Sequence, residues 1–163
     1  MMPQGPSIHA SSVLIGDVAV LIRGPSGSGK SRLAFALMLA GRAGQLPATK
    51  LVGDDRILLE TRGNRIFVRP VPELAGLIEV YGLGIRKTDY VPEAMAGLIV
   101  DLNADDAVRM PDALALSTRL SGIEVPRIPA KNGDSALPMI AAFFLTGDAL
   151  SSTCEGRLPE GNL

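Results

Sequence analysis

Apolar positions along the chain come in short runs separated by turn residues. Val13–Ile15 and Val18–Arg23 flank Gly16-Asp17, which predicts a hairpin. Beyond a Gly-rich stretch, Ser31–Ala43 is rich in Ala, Leu and Met and has no β-branched residue, so it predicts a helix. Its apolar residues lie nearly all the way round, which predicts burial, and Gly41 and Gly44 mark its end. Arg56–Thr61 and Arg65–Arg69 flank Arg62-Gly63-Asn64 as a second hairpin. Leu77–Val80 and Gly97–Leu102 have strand character, Leu114–Leu120 fits a short strand or a helical turn, and Ala136–Leu145 predicts a terminal helix. From Gly147 the chain is small and polar, so the reading is one domain over residues 1–146 and a tail over 147–163. Strands mixed with a helix directly after a Gly-rich loop give an α/β fold, and the hairpins make its sheet mixed.

Composition narrows the function. A content of 47% hydrophobic residues is enough to bury a core, and the net charge of −1, with four Phe, two Tyr and no Trp, argues against nucleic-acid binding. A single Cys (Cys154) and a single His (His9) exclude an internal disulfide and a four-ligand Cys or Cys/His zinc site. Residues 1–7 have neither the charged nor the apolar region of a secretory signal. The most apolar stretch, Leu33–Gly41, is far shorter than the ~20 residues of a membrane span, so the expectation is a cytoplasmic protein.

Gly24-Pro25-Ser26-Gly27-Ser28-Gly29-Lys30-Ser31 matches the phosphate-loop pattern G-x-x-x-x-G-K-[ST] in full. Its glycines let successive backbone N–H groups face one anion, and the helix that follows adds its positive end. Lys30 would reach the β- and γ-phosphates of a nucleotide, and the Ser31 hydroxyl would serve Mg²⁺. Mg²⁺ on a nucleotide also calls for a carboxylate, and Asp54-Asp55-Arg56 offers two after a short apolar lead-in. One would hold the metal and the other would take a proton from an attacking hydroxyl, with Arg56 pairing with a carboxylate or a phosphate. On residue type alone the pair is equally an Asp-Asp turn, and the loop is what favours function. Glu79 stands in an apolar strand and must be exposed, paired or metal-bound. His9, near a terminus, reads first as a solvent-exposed histidine. Arg127 and Lys131 place two cations in a Pro/Gly segment before the last helix, where they would close over phosphate or simply face water.

In this order the pieces resemble the HPr kinase/phosphorylase family, in its catalytic domain. His9 precedes the loop Gly24–Ser31, Asp54-Asp55-Arg56 is similar to the family's acidic pair, Glu79–Gly84 to its E-[IV]-R-G-L-G signature, and Pro126–Asn132 to its P-x-x-P-G-R-N loop. The resemblance runs from residue 9 to about residue 145 and implies a short form with the catalytic domain alone. It implies a cytoplasmic enzyme that uses ATP and Mg²⁺ to phosphorylate a serine of HPr, the phosphocarrier of the bacterial sugar phosphotransferase system, and that in many members removes the phosphate by phosphorolysis. It assigns Asp54 as the base, assisted by His9, and Ser31, Asp55 and Glu79 to the metal. Gly24, Pro25, Ser26, Gly27, Ser28, Gly29, Lys30, Ser31 and the adjoining Arg32 fall to the nucleotide, and Arg127 and Lys131 to a late phosphate loop. It further implies a nucleotide site like that of phosphoenolpyruvate carboxykinase and a hexamer.

Two substitutions depart from the pattern: Tyr81 stands where the signature has Arg, and Ala130-Lys131 replaces Gly-Arg. Each removes a fork-shaped cation suited to phosphate, so kinase activity is expected to outlast phosphorolysis. The alternatives are a small-molecule P-loop kinase, whose Arg-rich lid is not seen in Pro92–Asp106, and a non-catalytic ATP sensor, which needs no second carboxylate.

Overall fold

The computed structural model describes residues 5–147. The expected tail from residue 148 onward, Cys154 included, lies outside them. The described residues form eleven strands and two α-helices: β1 (Ser7–His9), β2 (Ser11–Ile15), β3 (Val18–Arg23), α1 (Lys30–Arg42), β4 (Thr49–Gly53), β5 (Arg56–Arg62), β6 (Arg65–Pro70), β7 (Leu77–Val80), β8 (Gly84–Lys87), β9 (Ala94–Asp101), β10 (Ser117–Leu120), β11 (Ile123–Pro129) and α2 (Gly133–Leu145).

Both expected hairpins form, β2–β3 with Ile15 opposite Val18 and β5–β6 with Arg62 opposite Arg65. The main sheet runs β1-β5-β6-β9-β3-β2-β4 and is mixed, as expected. β9 is parallel to β3, and its second edge is shared: β6 pairs antiparallel with its start and β11 parallel with its end. β2 is antiparallel to both β3 and β4. Strands β3, β4, β9 and β11 therefore run the same way, and their carboxyl ends gather at one edge of the sheet, where open α/β sheets bind ligands.

Alternation along the strands loads both faces. Val13, Ile15, Val20, Ile22, Leu98 and Val100 pack against Leu33 and Leu37 of α1 and Ile140 of α2. Ala19, Leu21 and Ile99 point the other way, where the sheet curls so that Ile57, Leu59, Ile66, Val68 and Val125 cover them. Leu37 is fully buried, and its truncation to Ala would cost about 2–5 kcal/mol.

Four details depart from the sequence expectation. Helix α1 is buried on one side only, since Phe35 and Leu39 are 39% and 51% exposed. Helix α2 begins at Gly133, ahead of the expected Ala136, because Asn132 and Ser135 form a reciprocal capping box. β9 begins at Ala94, ahead of the expected Gly97. The Pro/Gly segment is mostly strand: β11 carries Pro126 and Pro129, which leaves only Ala130, Lys131 and Asn132 as a loop. Leu114–Leu120 divides between a 3-10 turn, Ala113–Leu116, and β10.

Candidate active site

The gathered carboxyl ends build the site. β3 ends at Arg23, and the chain passes through Gly24–Gly29 into α1. Gly24 is required for space, because a Cβ there would lie 2.6 Å from Ser28 Oγ and 3.1 Å from Leu102 Cβ. Gly29 is required for conformation: it caps α1 at φ +93°, in the left-handed region. Lys30 Nζ donates to the carbonyl oxygens of Gly24 and Pro25 at 2.8 and 3.2 Å, which lays its charge along the loop. The amino end of α2 meets that of α1: a Cβ added at Gly133 would lie 3.6 Å from Leu33 Cβ and 3.8 Å from the Gly29 carbonyl oxygen. Between them is a cleft of about 200 Å³, lined by Gly27, Gly29, Arg32, Asn132, Gly133 and Asp134. Arg32 faces Asp134 across it at 3.8 Å, with both side chains exposed.

Asp54 follows β4 and is 4% exposed. Its carboxylate accepts from three donors. Ser11 Oγ donates to Oδ1 at 2.5 Å, Ser31 Oγ to both oxygens at 2.8 and 2.9 Å, and the Glu79 backbone N–H to Oδ2 at 3.1 Å. All three donors are neutral. Ser31 spends its single proton on Asp54, so the lone pairs of its oxygen are left for a cation.

Asp55, the next residue, faces outward with its side chain 70% exposed. Its φ is +66°, and the Arg56 N–H donates to the Asp54 carbonyl across it at 2.7 Å, the rare γ-turn of positive φ. This turn sends one carboxylate inward and its neighbour outward. His9, at the end of β1, lies opposite Arg56, and its Nδ1 is 4.0 Å from Asp55 Oδ1. Its Nε2 is 3.1 Å from the Arg56 guanidinium, which can only donate, so in this contact Nε2 accepts. The fold thus brings His9, Asp55 and Arg56 together, a meeting that the lone histidine did not advertise.

The side chain of Glu79 is exposed, while its backbone touches Asp54. Lys131 is exposed on the loop ahead of α2, and its carbonyl accepts from Asn103 N–H. Arg127 is placed differently from the expectation. It lies on β11 in alternation with Ile128, on the sheet face away from α1, and is held by Asp101 and Asp106. The Asp106 hydrogen bonds, with those of Asp101, raise its pKa further, so its charge is engaged by these two carboxylates.

Sequence reasoning missed Ser11 and Asp101. Ser11 had a faint signal, two adjacent serines in an otherwise apolar strand. Asp101 had a stronger one, an acid closing the apolar run Gly97–Val100 in the strand beside the phosphate loop. It faces the wrong side for the loop, and Arg23 clasps it at 2.7 and 2.8 Å while Arg127 donates at 2.6 Å.

The family model of the HPr serine kinase C-terminal domain matches residues 2–128. The chain belongs to this family. The match takes in the phosphate loop, both aspartates, Glu79 and β9. The HPr kinase/phosphorylase of Mycoplasma mycoides subsp. mycoides SC is 31% identical over 147 residues, which cover 81% of this chain and 44% of that protein. That of Geobacillus thermodenitrificans is 31% identical over 140 residues, covering 78% and 43%. The chain therefore spans a little under half the length of these relatives. The solved Hpr(Ser) kinase/phosphatase from Coxiella burnetii superposes with a TM-score of 0.68 at 25% identity, covering 84% of this chain and 92% of that one.

The residues present fit a magnesium nucleotide. Ser28 Oγ is buried in the loop with no hydrogen-bond partner among the described residues, as an anion-binding loop would leave it. Asp54 and Ser31 together form the carboxylate and hydroxyl that Mg²⁺ takes beside phosphate oxygens. No helix of the described residues is long and apolar enough to cross a membrane.

Proposed function

We propose that this chain is an ATP-dependent serine kinase whose acceptor is an HPr-type phosphocarrier. The observation that carries the reading is the division of labour in Asp54-Asp55: a buried carboxylate bound to the phosphate-loop hydroxyl, and an exposed one beside His9. The same division reverses the roles expected from the resemblance. Asp54 is too enclosed to meet a protein hydroxyl and belongs with Ser31 on the metal, with exposed Glu79 near it. Asp55 is the base.

Mg²⁺, when bound, would neutralise charge on the phosphates. The chain's own groups do the rest. The loop amides and Lys30 hold the γ-phosphate, and His9 stands beside the Asp55 carboxylate. The acceptor serine oxygen bonds to the γ-phosphorus as its proton passes to Asp55, and the bond to the β-phosphate oxygen breaks, releasing ADP. The platform for the acceptor is the β7–β8 hairpin. Tyr81, Leu83 and Ile85 are exposed there beside Arg86 and Lys87, and the hairpin reaches the Asp54 carboxylate through the Glu79 N–H. HPr phosphorylation unaffected by replacing both Arg86 and Lys87 would count against that placement.

Tyr81 and Ala130-Lys131 lack the guanidinium forks that suit inorganic phosphate, so transfer from ATP outpaces phosphorolysis in this reading. Pyrophosphate release from phosphoseryl-HPr as fast as phosphorylation would reverse that order. The ATP supply places the reaction in the cytoplasm, and a native mass measurement decides the hexamer expected from the resemblance. The central test is transfer of labelled γ-phosphate from ATP with Mg²⁺ to HPr of the same organism, beside Asp55→Asn. Seryl phosphorylation that fails in the variant, with nucleotide binding intact, is the expected result. An active Asp55→Asn enzyme would remove the assigned base, and binding without transfer in the unaltered chain would favour the sensor alternative.

A further inference from the structure

The two serines that open β2 have the same burial and different surroundings. Ser11 and Ser12 are both 0% exposed. Ser12 points to the face shared by Ala10 and Leu21, and its hydroxyl has no hydrogen-bond partner among the described residues. Ser11 points to the helix-bearing face, shared with Val13 and Ile15, and its hydroxyl donates to Asp54 Oδ1 at 2.5 Å. The register explains the reach: β2 lies between β3 and β4, Ser11 pairs with Ile22 one residue before the end of β3, and Ser12 pairs with Gly53 at the end of β4. The first residues of β2 therefore sit beside the carboxyl ends of both neighbours, where Asp54 emerges.

We infer that Ser11 is a positioning residue for the metal side of the site, acting through Asp54 on Ser31. The inference rests on the reading of Asp54 and Ser31 as metal-side groups. Asp54 is a buried anion with neutral donors and no arginine or lysine among its hydrogen-bond partners. Ser31 addresses both its oxygens. Glu79 N–H steadies only Oδ2, and Ser11 is the second donor that steadies Oδ1. With both oxygens pinned, the carboxylate has one rotation, and the Ser31 proton has one direction. The Ser31 lone pairs then face the loop without a search among rotamers. Without Ser11 the carboxylate turns about its bond, Oδ1 is left a donor short in a buried place, and the Ser31 hydroxyl follows it. Groups of this kind, one step behind a metal ligand, typically carry about 10–100-fold in metal affinity.

The experiment measures Mn²⁺ by electron paramagnetic resonance on the full chain with saturating ADP, and ADP affinity by calorimetry in EDTA. Ser11→Ala is expected to weaken Mn²⁺ by about tenfold or more while metal-free ADP affinity is unchanged. Ser11→Thr, which keeps the hydroxyl, is expected to stay close to the unaltered chain, and Ser12→Ala to change neither quantity. Should Ser11→Ala fail to fold, Ser11→Cys, of similar size and a weak donor, is expected to show the same loss. Mn²⁺ binding in Ser11→Ala, or in Ser11→Cys where the Ala variant does not fold, equal to that of the unaltered chain overturns the inference. So does an equal loss in Ser12→Ala, or a Thr variant as weak as the Ala one. If the unaltered chain takes up no Mn²⁺ with ADP, the magnesium-nucleotide reading itself falls, and the inference falls with it.

Discussion

Asp54 and Asp101 both close apolar runs at the carboxyl ends of strands that run the same way, β4 and β9, and both are shielded from water, yet their partners give them opposite tasks. Asp54 accepts from two hydroxyls and a backbone N–H. Its negative charge is solvated by dipoles and not cancelled, so it can recruit a cation. Asp101 accepts from two guanidinium groups, one directly before the phosphate loop and one on β11. Burial works to raise its pKa, but the hydrogen bonds and charges of Arg23 and Arg127 outweigh it and hold the carboxyl below its ordinary range. Asp101 is thus a clasp. The Leu102 N–H to the Arg23 carbonyl and the Ala130 N–H to the Asp101 carbonyl complete it, and three strands feeding three site loops are fixed together. Place in the fold does not set the role of a strand-end carboxylate; the charge of its donors does.

The contrast can be broken most sharply at Asp54. Asn there keeps the shape and removes the charge, and phosphoryl transfer should fall by roughly 10³-fold, the several kcal/mol that a metal supplies to such a reaction. Near-normal transfer in Asp54→Asn would show that the buried carboxylate is not on the metal. Asp55→Asn should lose about 10²-fold in kcat with ATP affinity unchanged, the ordinary loss of a general base. A comparable loss in ATP affinity would instead put Asp55 on the nucleotide. Asp101→Asn should act on stability first, lowering it by about 2 kcal/mol and the melting temperature by roughly 4–8 °C. A melting temperature unchanged in that variant would deny the clasp.

The smallest effect is the most specific. A carboxyl whose folded pKa is depressed contributes stability above its unfolded value, near 3.9, and loses it as pH falls through the folded value. The gap in melting temperature between the unaltered chain and Asp101→Asn should therefore be full at neutral pH and close on acidification below about pH 4. A gap that stays constant through that range would mean that packing, and not charge, holds the three strands.

Much of this was legible before folding. Both hairpins and α1 followed from local rules, since alternation, turn residues and helix propensity act over a few residues. The phosphate loop was readable for the same reason: its chemistry lies in consecutive backbone groups. Harder to read were elements that depend on a distant partner. Pro126 and Pro129 argued for a loop, but β11 is an outer strand joined to β9 only over Arg127–Pro129, which leaves Pro126 opposite Ser117 of β10. The early start of α2 lay in the Asn132 to Ser135 spacing and was overlooked there.

The sequence by itself determined that this chain builds a P-loop α/β domain, that two carboxylates follow the loop, and that His9 and Glu79 are candidates to join them. Only the tertiary structure decided which carboxylate faces which way. Asp54 and Asp55 are identical in type and adjacent in the chain, and a γ-turn with φ +66° at Asp55 sends one to Ser31 and the other to His9. Only the tertiary structure, too, gave Asp54 its donor on Ser11 and turned Arg127 toward Asp101 and Asp106, because a strand's alternation assigns faces only once its neighbours are in register. Residue types set the chemistry available; register and turn geometry chose which of it is used.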